Sequence, residues 1–321
     1  MLDGYNRNIN YMRISLTDRC NLRCVYCRPD ITQTVKHSEI LRYEEILRIV
    51  KCAVGLGVTR YKITGGEPLV RKGAIEFIAN LKQIEGLEQV TLTTNGILLE
   101  KNLPQLQAFS IDGINISLDT LDANIFKNIT GGGDIEPVIH GIKAALDAGI
   151  KCKLNCVPIR SLRKKDLKDL LCFAHSLTIP LRFIELMPLI CNNNLASYSG
   201  DEVRLLLQSL GYRLEPLQKS LGNGPAVYYE ATKDGCSQII GFIQPLHGKF
   251  CASCNRVRLT STGRLKPCLY SANALDVRNL LRSGADEAQI IEALKKAVCE
   301  KPMGHHFEDS PASFGMNEIG G

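Results

Sequence analysis

The chain has 321 residues, of which 45% are apolar and 22% charged, and its formal net charge is +6 at pH 7. This length fits one large α/β domain with an extension, or two ordinary domains. No apolar run reaches membrane-spanning length and residues 1–6 lack a signal-peptide pattern, so we expect a cytoplasmic protein. The dispersed positive charge suits a small polyphosphate better than a nucleic-acid duplex.

Short β-branched runs alternate with longer helix-period runs over the first two thirds of the chain. This alternation is typical of parallel strands covered by crossover helices. Strands are predicted at residues 11–16, 59–64, 89–94, 113–118, 151–157 and 181–186, and helices at 43–54, 73–84, 133–148 and 165–176. We therefore expect an α/β fold, a (βα)6 partial TIM barrel, over residues 1–190.

A second unit is predicted after the polar stretch near residues 190–200. Its predicted helices lie near 201–210 and 288–299, and its predicted strands near 226–231 and 237–243. We expect residues 191–321 to form a C-terminal domain that extends the barrel.

Three cysteines follow the first predicted strand in a C-x3-C-x2-C frame: Cys20, Cys24 and Cys27. Three thiolates at this spacing can hold a cubic iron–sulfur cluster, and the missing fourth cysteine leaves one iron open to a ligand. The alternative is three buried apolar cysteines. The odd total of 13 cysteines argues against a complete disulfide framework and favours metal sites in a reducing compartment.

A Gly-Gly turn, Gly65-Gly66-Glu67-Pro68, follows the second predicted strand. Its amides can pair with an extended ligand and the Glu67 carboxylate can take an ammonium group, although such a turn is often only a turn. Combined with the cysteine frame, it predicts a site for a methionine-like ligand that chelates the open iron.

A second frame, Cys251-x2-Cys254-x13-Cys268, again offers three thiolates. It could hold a cluster, or zinc with His247 as a fourth ligand. On a strand, Arg256 and Arg258 would point to the same face beside this metal, where their forked donors match phosphate oxygens.

The first frame, with Tyr26 before its last cysteine and the Gly-Gly turn after the next strand, resembles the radical S-adenosylmethionine (SAM) enzymes. This resemblance implies a reduced [4Fe–4S] cluster that cleaves SAM to methionine and a 5′-deoxyadenosyl radical.

The second frame with Arg256 and Arg258, the Lys266-Pro267-Cys268-Leu269 run and the Gly320-Gly321 ending are similar to the GTP 3′,8-cyclase family of molybdenum cofactor synthesis. The similarity runs from Tyr11 to Gly321. It implies a second [4Fe–4S] cluster whose open iron binds guanine, removal of the C3′ hydrogen of GTP, and closure of C3′ onto C8.

The same resemblance implies roles for individual residues. The metal ligands would be Cys20, Cys24, Cys27, Cys251, Cys254 and Cys268, and the catalytic group would be Cys20, Cys24, Cys27, Arg256 and Arg258. SAM would contact Tyr26, Gly66, Glu67, Ser117 and Met187. GTP would contact Arg13, Lys62, Thr93, Lys153, Arg256, Val257 and Arg258. Many family members carry Arg at the position of Lys62, so Arg60 is an alternative contact.

The resemblance also implies partners: a reductant such as flavodoxin or ferredoxin, and pyranopterin monophosphate synthase downstream. A homodimer is a further expectation, and no nucleic-acid or membrane partner is expected. Two alternatives stay open on the residues alone. One is a radical SAM enzyme whose second cluster serves a peptide substrate, and the other is a zinc-stapled α/β binding module.

Overall fold

The computed structural model describes residues 1–27, 35–188, 195–218, 221–248, 250–305, 307 and 315–320. Within these residues, twelve strands form one sheet: β1 Tyr11–Ser15, β2 Arg60–Thr64, β3 Gln89–Thr94, β4 Gly113–Ser117, β5 Cys152–Cys156, β6 Leu181–Ile184, β7 Arg213–Pro216, β8 Val227–Lys233, β9 Cys236–Ile243, β10 Arg256–Leu259, β11 Arg264–Lys266 and β12 Leu275–Asp276. The described α-helices are α1 Tyr43–Gly55, α2 Ala74–Lys82, α3 Leu99–Ala108, α4 Ala123–Thr130, α5 Glu136–Asp147, α6 Lys164–Ser176, α7 Gly200–Ser209, α8 Val277–Arg282, α9 Glu287–Cys299 and α10 Met316–Ile319.

The first six strands are parallel neighbours in chain order, which confirms the α/β partial barrel. The later strands extend both edges of this sheet. Strand β10 adds to β1 in parallel, and β9 adds to β6 in parallel. The C-terminal strands are thus continuous with the barrel sheet, and the boundary predicted at residue 190 falls in 189–194, outside the described residues.

Side-chain alternation along the strands separates the core from the barrel interior. Met12, Tyr61 and Leu92 are almost fully buried and pack in the main core. Their strand neighbours Arg13 and Lys62 point the other way, into the interior of the barrel. The same pleat that builds the core therefore lines the interior with cations.

The six parallel strands agree with the sequence prediction to within one or two residues. Helices α3 and α4 were not predicted: α3 contains Pro104, which weakens its helical pattern, and α4 has only eight residues. No helix among the described residues is long and apolar enough to cross a bilayer.

Candidate active site

A cavity of about 330 Å³ opens where the parallel strands end, and both cysteine frames line it. We call Cys20, Cys24 and Cys27 the first triad, and Cys251, Cys254 and Cys268 the second triad. Parallel α/β sheets gather reactive groups at the carboxyl ends of their strands, and this cavity follows that rule.

The first triad is held by the end of α4. Arg23 N–H donates to the Thr130 carbonyl at 2.8 Å, and Val25 N–H donates to the Ile129 carbonyl at 3.0 Å. Burial raises the pKa of the Cys24 thiol well above its usual range, and the charges of Cys27, Asp119 and Cys20 raise it further. A thiolate in this loop therefore needs a positive centre beside it, such as iron.

The Gly-Gly turn packs directly against the chain that leads into the first triad. Gly66 N–H donates to the Thr17 carbonyl at 2.6 Å, and Glu67 N–H donates to the Arg19 carbonyl at 2.8 Å. A Cβ at Gly66 would lie 2.3 Å from the Arg19 carbonyl oxygen, so a larger residue does not fit. Because these two amides are already used, the expected pairing of turn amides with a ligand is wrong at Gly66 and Glu67.

Glu67 braces the ends of two strands. One carboxylate oxygen accepts hydrogen bonds from Leu69 N–H and the Thr94 hydroxyl, and the other accepts one from Asn95 N–H. Burial raises the pKa of Glu67 to about 7, although the hydrogen bonds from Asn95, Leu69 and Thr94 oppose this rise. Three of its roughly four acceptor positions are taken within the protein, which leaves little capacity for a ligand ammonium.

Tyr26 is tied to the barrel through Asp119. The Tyr26 hydroxyl donates to one carboxylate oxygen of Asp119 at 2.7 Å, and Val157 N–H donates to the other at 2.8 Å. Burial raises the pKa of Asp119 to about 6, against the lowering effect of these bonds. Asp119 thereby fixes the first triad relative to the ends of β4 and β5.

The second triad is assembled by strand pairing. Cys254 lies two residues before β10, and Cys268 lies two residues after β11. The antiparallel pairing of Arg258 with Lys266 places these two cysteines at the same end of the hairpin. Burial acts to raise the pKa of the Cys254 thiol, but the charges of Arg256 and Lys301 outweigh it and lower this pKa to about 7.

Six cations line the cavity: Arg13, Lys62, Arg182, Arg256, Arg258 and Lys301. In the described part of the chain, none of them forms an ion pair with a carboxylate. The Nε atoms of Arg13 and Arg182 are buried without hydrogen-bond partners. Buried cations that lack counter-charges are costly, so this interior is suited to a polyanionic ligand.

Lys62 and Arg60 occupy different environments. Lys62 lines the cavity, where burial and the charges of Arg182, Arg13, Lys153 and Arg256 lower its pKa well below the ordinary value. Arg60 instead pairs with Glu88 at 3.1 Å and donates to the Asn223 side chain at 3.0 Å. Lys62, not Arg60, therefore faces the ligand space.

Most of the predicted site residues line this cavity: the first and second triads, Tyr26, Gly66, Glu67, Ser117, Met187, Arg13, Lys62, Thr93, Arg256 and Arg258. Two do not. Lys153 donates to the Leu221 carbonyl beside the cavity, and the Val257 side chain packs in the main core. His247, the alternative zinc ligand, is held by Glu185 through its Nδ1 atom.

Sequence reasoning missed several polar residues of the cavity wall, among them Arg182, Lys301 and His305. Arg182 donates to the Asn115 side chain at 2.6 Å, and an arginine within the apolar β6 run was a signal for it. Lys301 donates to the Arg256 carbonyl at 2.8 Å and to the Pro267 carbonyl at 2.7 Å. His305 also lines the wall. Both Lys301 and His305 lie in a tail segment that carries no periodic pattern.

The C-terminal tail enters the barrel. The Gly320 carbonyl accepts hydrogen bonds from the Thr64 hydroxyl at 2.9 Å and from Arg258 at 3.4 Å. A Cβ at Gly320 would lie 2.8 Å from Ser15 Cβ, so glycine is needed for this approach. Gly321 lies outside the described residues.

The described cysteines form no disulfides. No group of three or more His, Cys, Asp or Glu in the described ranges is arranged to hold a metal ion. The two triads fit iron–sulfur clusters because each offers three cysteine thiols, the donors that such clusters require, and both line one cavity. This fit rests on the type of ligand and not on side chains that already surround a common point.

Known proteins that resemble this chain have the same type of fold and site. A family model described as Radical SAM superfamily matches residues 14–174, and one described as Molybdenum Cofactor Synthesis C matches residues 179–307. The fold is similar to that of SuiB from Streptococcus suis bound to S-adenosylmethionine, with a TM-score of 0.65 and 17% identity over 96% of this chain and 76% of that one. A structure of anSMEcpe with bound AdoMet has a TM-score of 0.51 and 20% identity, over 63% of this chain and 59% of that one.

The fold and the first triad therefore define a radical SAM enzyme, a class that uses SAM and a [4Fe–4S] cluster. Relatives named GTP 3′,8-cyclase are similar over the whole length. The one from Thermodesulfovibrio yellowstonii is 41% identical over all of both chains, and the one from Geobacter sulfurreducens is 40% identical over all of this chain and 99% of its own. The chain belongs to the GTP 3′,8-cyclase family, as the sequence predicted.

Proposed function

We propose that this enzyme converts GTP to (8S)-3′,8-cyclo-7,8-dihydroguanosine 5′-triphosphate, the first step of molybdenum cofactor synthesis. The observation that carries the proposal is a single cavity that joins two cysteine triads to a group of buried cations, none of which has a carboxylate partner among the described residues. A nucleoside triphosphate matches both parts, because its phosphates neutralise the cations and its base can reach a metal site.

The SAM site lies around the first triad. Tyr26, Gly66, Ser117 and Met187 line the same cavity as the first triad and supply contacts to SAM. The carbonyl groups of the Gly-Gly turn accept the SAM ammonium, while Glu67 holds the turn in place. Cys20, Cys24 and Cys27 would hold a [4Fe–4S] cluster, which would supply the electron for reductive cleavage of SAM and thereby the radical chemistry at C3′ of GTP.

The GTP site lies between the second triad and the cations. The second triad would hold a second [4Fe–4S] cluster and would place the guanine base beside it. Arg13, Lys62, Thr93, Arg256 and Arg258 bind the triphosphate and ribose. Lys153 adds positive charge near Lys62 for the phosphates, and Val257 contributes through its backbone. These groups hold C8 close to C3′, which is catalysis by positioning.

The family resemblance also suggests partner proteins, and these rest on the resemblance alone. A flavodoxin or ferredoxin supplies electrons, and pyranopterin monophosphate synthase takes the product. A homodimer and a cytoplasmic location also stay predictions.

The test is an anaerobic assay of reconstituted protein with reductant, SAM and one nucleoside triphosphate at a time. Mass spectrometry follows 5′-deoxyadenosine and the nucleotide. We expect 5′-deoxyadenosine to form in step with a GTP-derived isomer and not with ATP. If 5′-deoxyadenosine forms while GTP is unchanged, the radical chemistry stands and the substrate assignment fails.

A further inference from the structure

Lys301 is a buried cation beside the second triad to which the proposed reaction gives no task. It is 3% exposed and lines the cavity wall. It follows helix α9 closely, and its N–H donates to the Val298 carbonyl at 3.1 Å at the end of this helix. The backbone that carries the side chain is therefore held in place.

The Lys301 ammonium joins the segments that contain Cys254 and Cys268. It donates to the Arg256 carbonyl at 2.8 Å and to the Pro267 carbonyl at 2.7 Å. Arg256 lies two residues after Cys254, and Pro267 lies directly before Cys268. One side chain therefore bridges the segments that supply two of the three thiols.

The two residues after Lys301 connect to the third cysteine through Arg7. The Arg7 guanidinium donates to the Pro302 carbonyl at 2.7 Å and to the Met303 carbonyl at 2.9 Å. The same guanidinium donates to the Cys251 carbonyl at 2.9 Å. Residues 301–303 are thus tied to the segments of all three cysteines of the second triad.

The positive charge of Lys301 acts on the sulfur of Cys254. Burial acts to raise the pKa of the Cys254 thiol, whereas the charges of Arg256 and Lys301 lower it. No carboxylate in the part of the chain that the structure describes forms an ion pair with Lys301. Its charge can therefore compensate a negatively charged group at the second triad.

We propose that Lys301 is a positioning residue of the second triad and that its ammonium raises the reduction potential of the [4Fe–4S] cluster held there. This inference rests on the proposed function, which assigns that cluster. A cubic cluster with three thiolate ligands carries a net negative charge, which reduction increases. In a buried site, a fixed cation nearby favours the more negative state. Lys301 would therefore make this cluster easier to reduce.

Two variants separate the charge of Lys301 from its hydrogen bonds. Lys301→Gln can still donate to carbonyl groups but is neutral, whereas Lys301→Arg keeps both the charge and the donors. Redox titration of the anaerobically reconstituted holoenzyme, followed by electron paramagnetic resonance (EPR), measures the midpoint potential of each cluster. Cys24→Ala, which removes a ligand of the first cluster, identifies the EPR signal of the second.

We expect Lys301→Gln to keep both clusters but to make the second harder to reduce. At a given potential, its ratio of reduced to oxidised cluster should fall about ten-fold, a shift of about 59 mV for one electron. Lys301→Arg should stay close to the wild type. Lys233→Gln is the matched control, because Lys233 also donates to a carbonyl, that of Leu210 at 2.7 Å, but is not among the described residues that line the cavity. Neither this control nor the first cluster should shift.

An unchanged midpoint potential in Lys301→Gln, or an equal shift in Lys233→Gln, overturns the proposal. Loss of the second cluster in both Lys301→Gln and Lys301→Arg also overturns it, because the role of Lys301 would then be structural alone. Loss in Lys301→Gln only supports it, since the charge is then required to hold the cluster. If the reconstituted wild type shows no second cluster, the proposed function fails and this inference falls with it.

Discussion

Lys62 shows how a single side chain can be costly in the free protein and useful in the complex. Its ammonium is buried in the cavity beside Arg13 and Arg182, and no described carboxylate pairs with it. We expect Lys62→Met to weaken GTP binding about 10- to 100-fold, since a charge-assisted contact is lost. The same change should stabilise the ligand-free protein by on the order of 1 kcal/mol, because it removes an unpaired buried cation.

Arg60→Met is the matched control, because Arg60 lies on the same strand but pairs with Glu88 outside the cavity. It should alter GTP affinity by less than about three-fold, since exposed ion pairs contribute little. Titration calorimetry and thermal unfolding measure both effects. Equal losses of affinity in the two variants would mean that the phosphates do not enter the cavity as proposed.

The buried lysines also predict a pH dependence. Burial and then Arg182 lower the pKa of Lys153 to about 8, and burial with neighbouring cations lowers that of Lys62 well below 10.5. A bound polyanion favours the charged forms and raises both pKa values, so binding takes up protons. GTP affinity should fall as the pH rises from about 7 to about 9, while the ligand-free protein gains stability over that range.

Calorimetry in buffers of different ionisation enthalpy measures this proton uptake directly. The uptake should decrease in Lys62→Met. An observed binding enthalpy that does not depend on the buffer at about pH 8 would rule out coupled protonation.

At the scale of elements, the turn after β2 positions the first triad. Gly66→Ala would place a Cβ 2.3 Å from the Arg19 carbonyl oxygen, which lies one residue before Cys20. We expect a loss of about 1–3 kcal/mol in unfolding free energy from this overpacking. With the two [4Fe–4S] clusters of the proposed function, displacement of the first triad should also reduce the iron content from about eight atoms per chain to about four, because only the cluster at the second triad is retained.

Gly55→Ala serves as the control for this substitution, because nothing lies within 4 Å of a Cβ at Gly55. Chemical denaturation and iron analysis compare the two variants. Full iron content in Gly66→Ala would show that the turn does not govern the triad.

The strands of the barrel are predictable from sequence because each carries its own β-branched run between polar turns. The cysteine frames are equally local, since their spacing is read directly from the chain. The register of β10 on β1 is different: Arg258 pairs with Arg13 across some 245 positions, and no periodicity encodes such a long-range pairing. Lys301 and His305 were missed for the same reason, because only the folded chain brings the tail to the cavity.

The position of a residue within its strand also decides whether its side chain reaches the cavity, and this separates the residues that were predicted to contact GTP. Arg256 and Arg258 face the interior as their alternation predicted, and this same alternation turns Val257 into the core. Lys153 lies on β5 but its ammonium reaches the Leu221 carbonyl instead, a contact with a loop that the sequence could not place.

At the scale of the whole molecule, the N-terminus binds two distant segments beside the second triad, one at Cys251 and one at residues 302–303. Arg7 forms a buried ion pair with Asp3 at 2.6 Å. Its guanidinium also donates to the Cys251 and Met303 carbonyls at 2.9 Å and to the Pro302 carbonyl at 2.7 Å. The first ten residues thus help to hold a cysteine that lies more than 240 positions away.

We expect Arg7→Ala to lower the unfolding free energy by about 3–5 kcal/mol, because it removes the buried counter-charge of Asp3 and leaves Asp3 Oδ2 and three carbonyl groups without their side-chain donor. The second cluster should be lost before the first, so iron falls to about four atoms per chain. Cluster EPR, iron analysis and chemical denaturation measure these changes. The control is Arg160→Ala, whose ion pair with Glu202 has side chains 45% and 42% exposed, and it should cost less than about 1 kcal/mol.

Arg7→Lys tests whether charge alone is sufficient. A lysine keeps the attraction to Asp3 but cannot present the planar fork of donors that reaches three carbonyls at once. We therefore expect Arg7→Lys to recover part of the stability while the second cluster stays labile. If Arg7→Lys restores that cluster fully, the ion pair with Asp3 holds the Cys251 segment and the carbonyl contacts are dispensable; if Arg7→Ala retains both clusters, neither contact is needed.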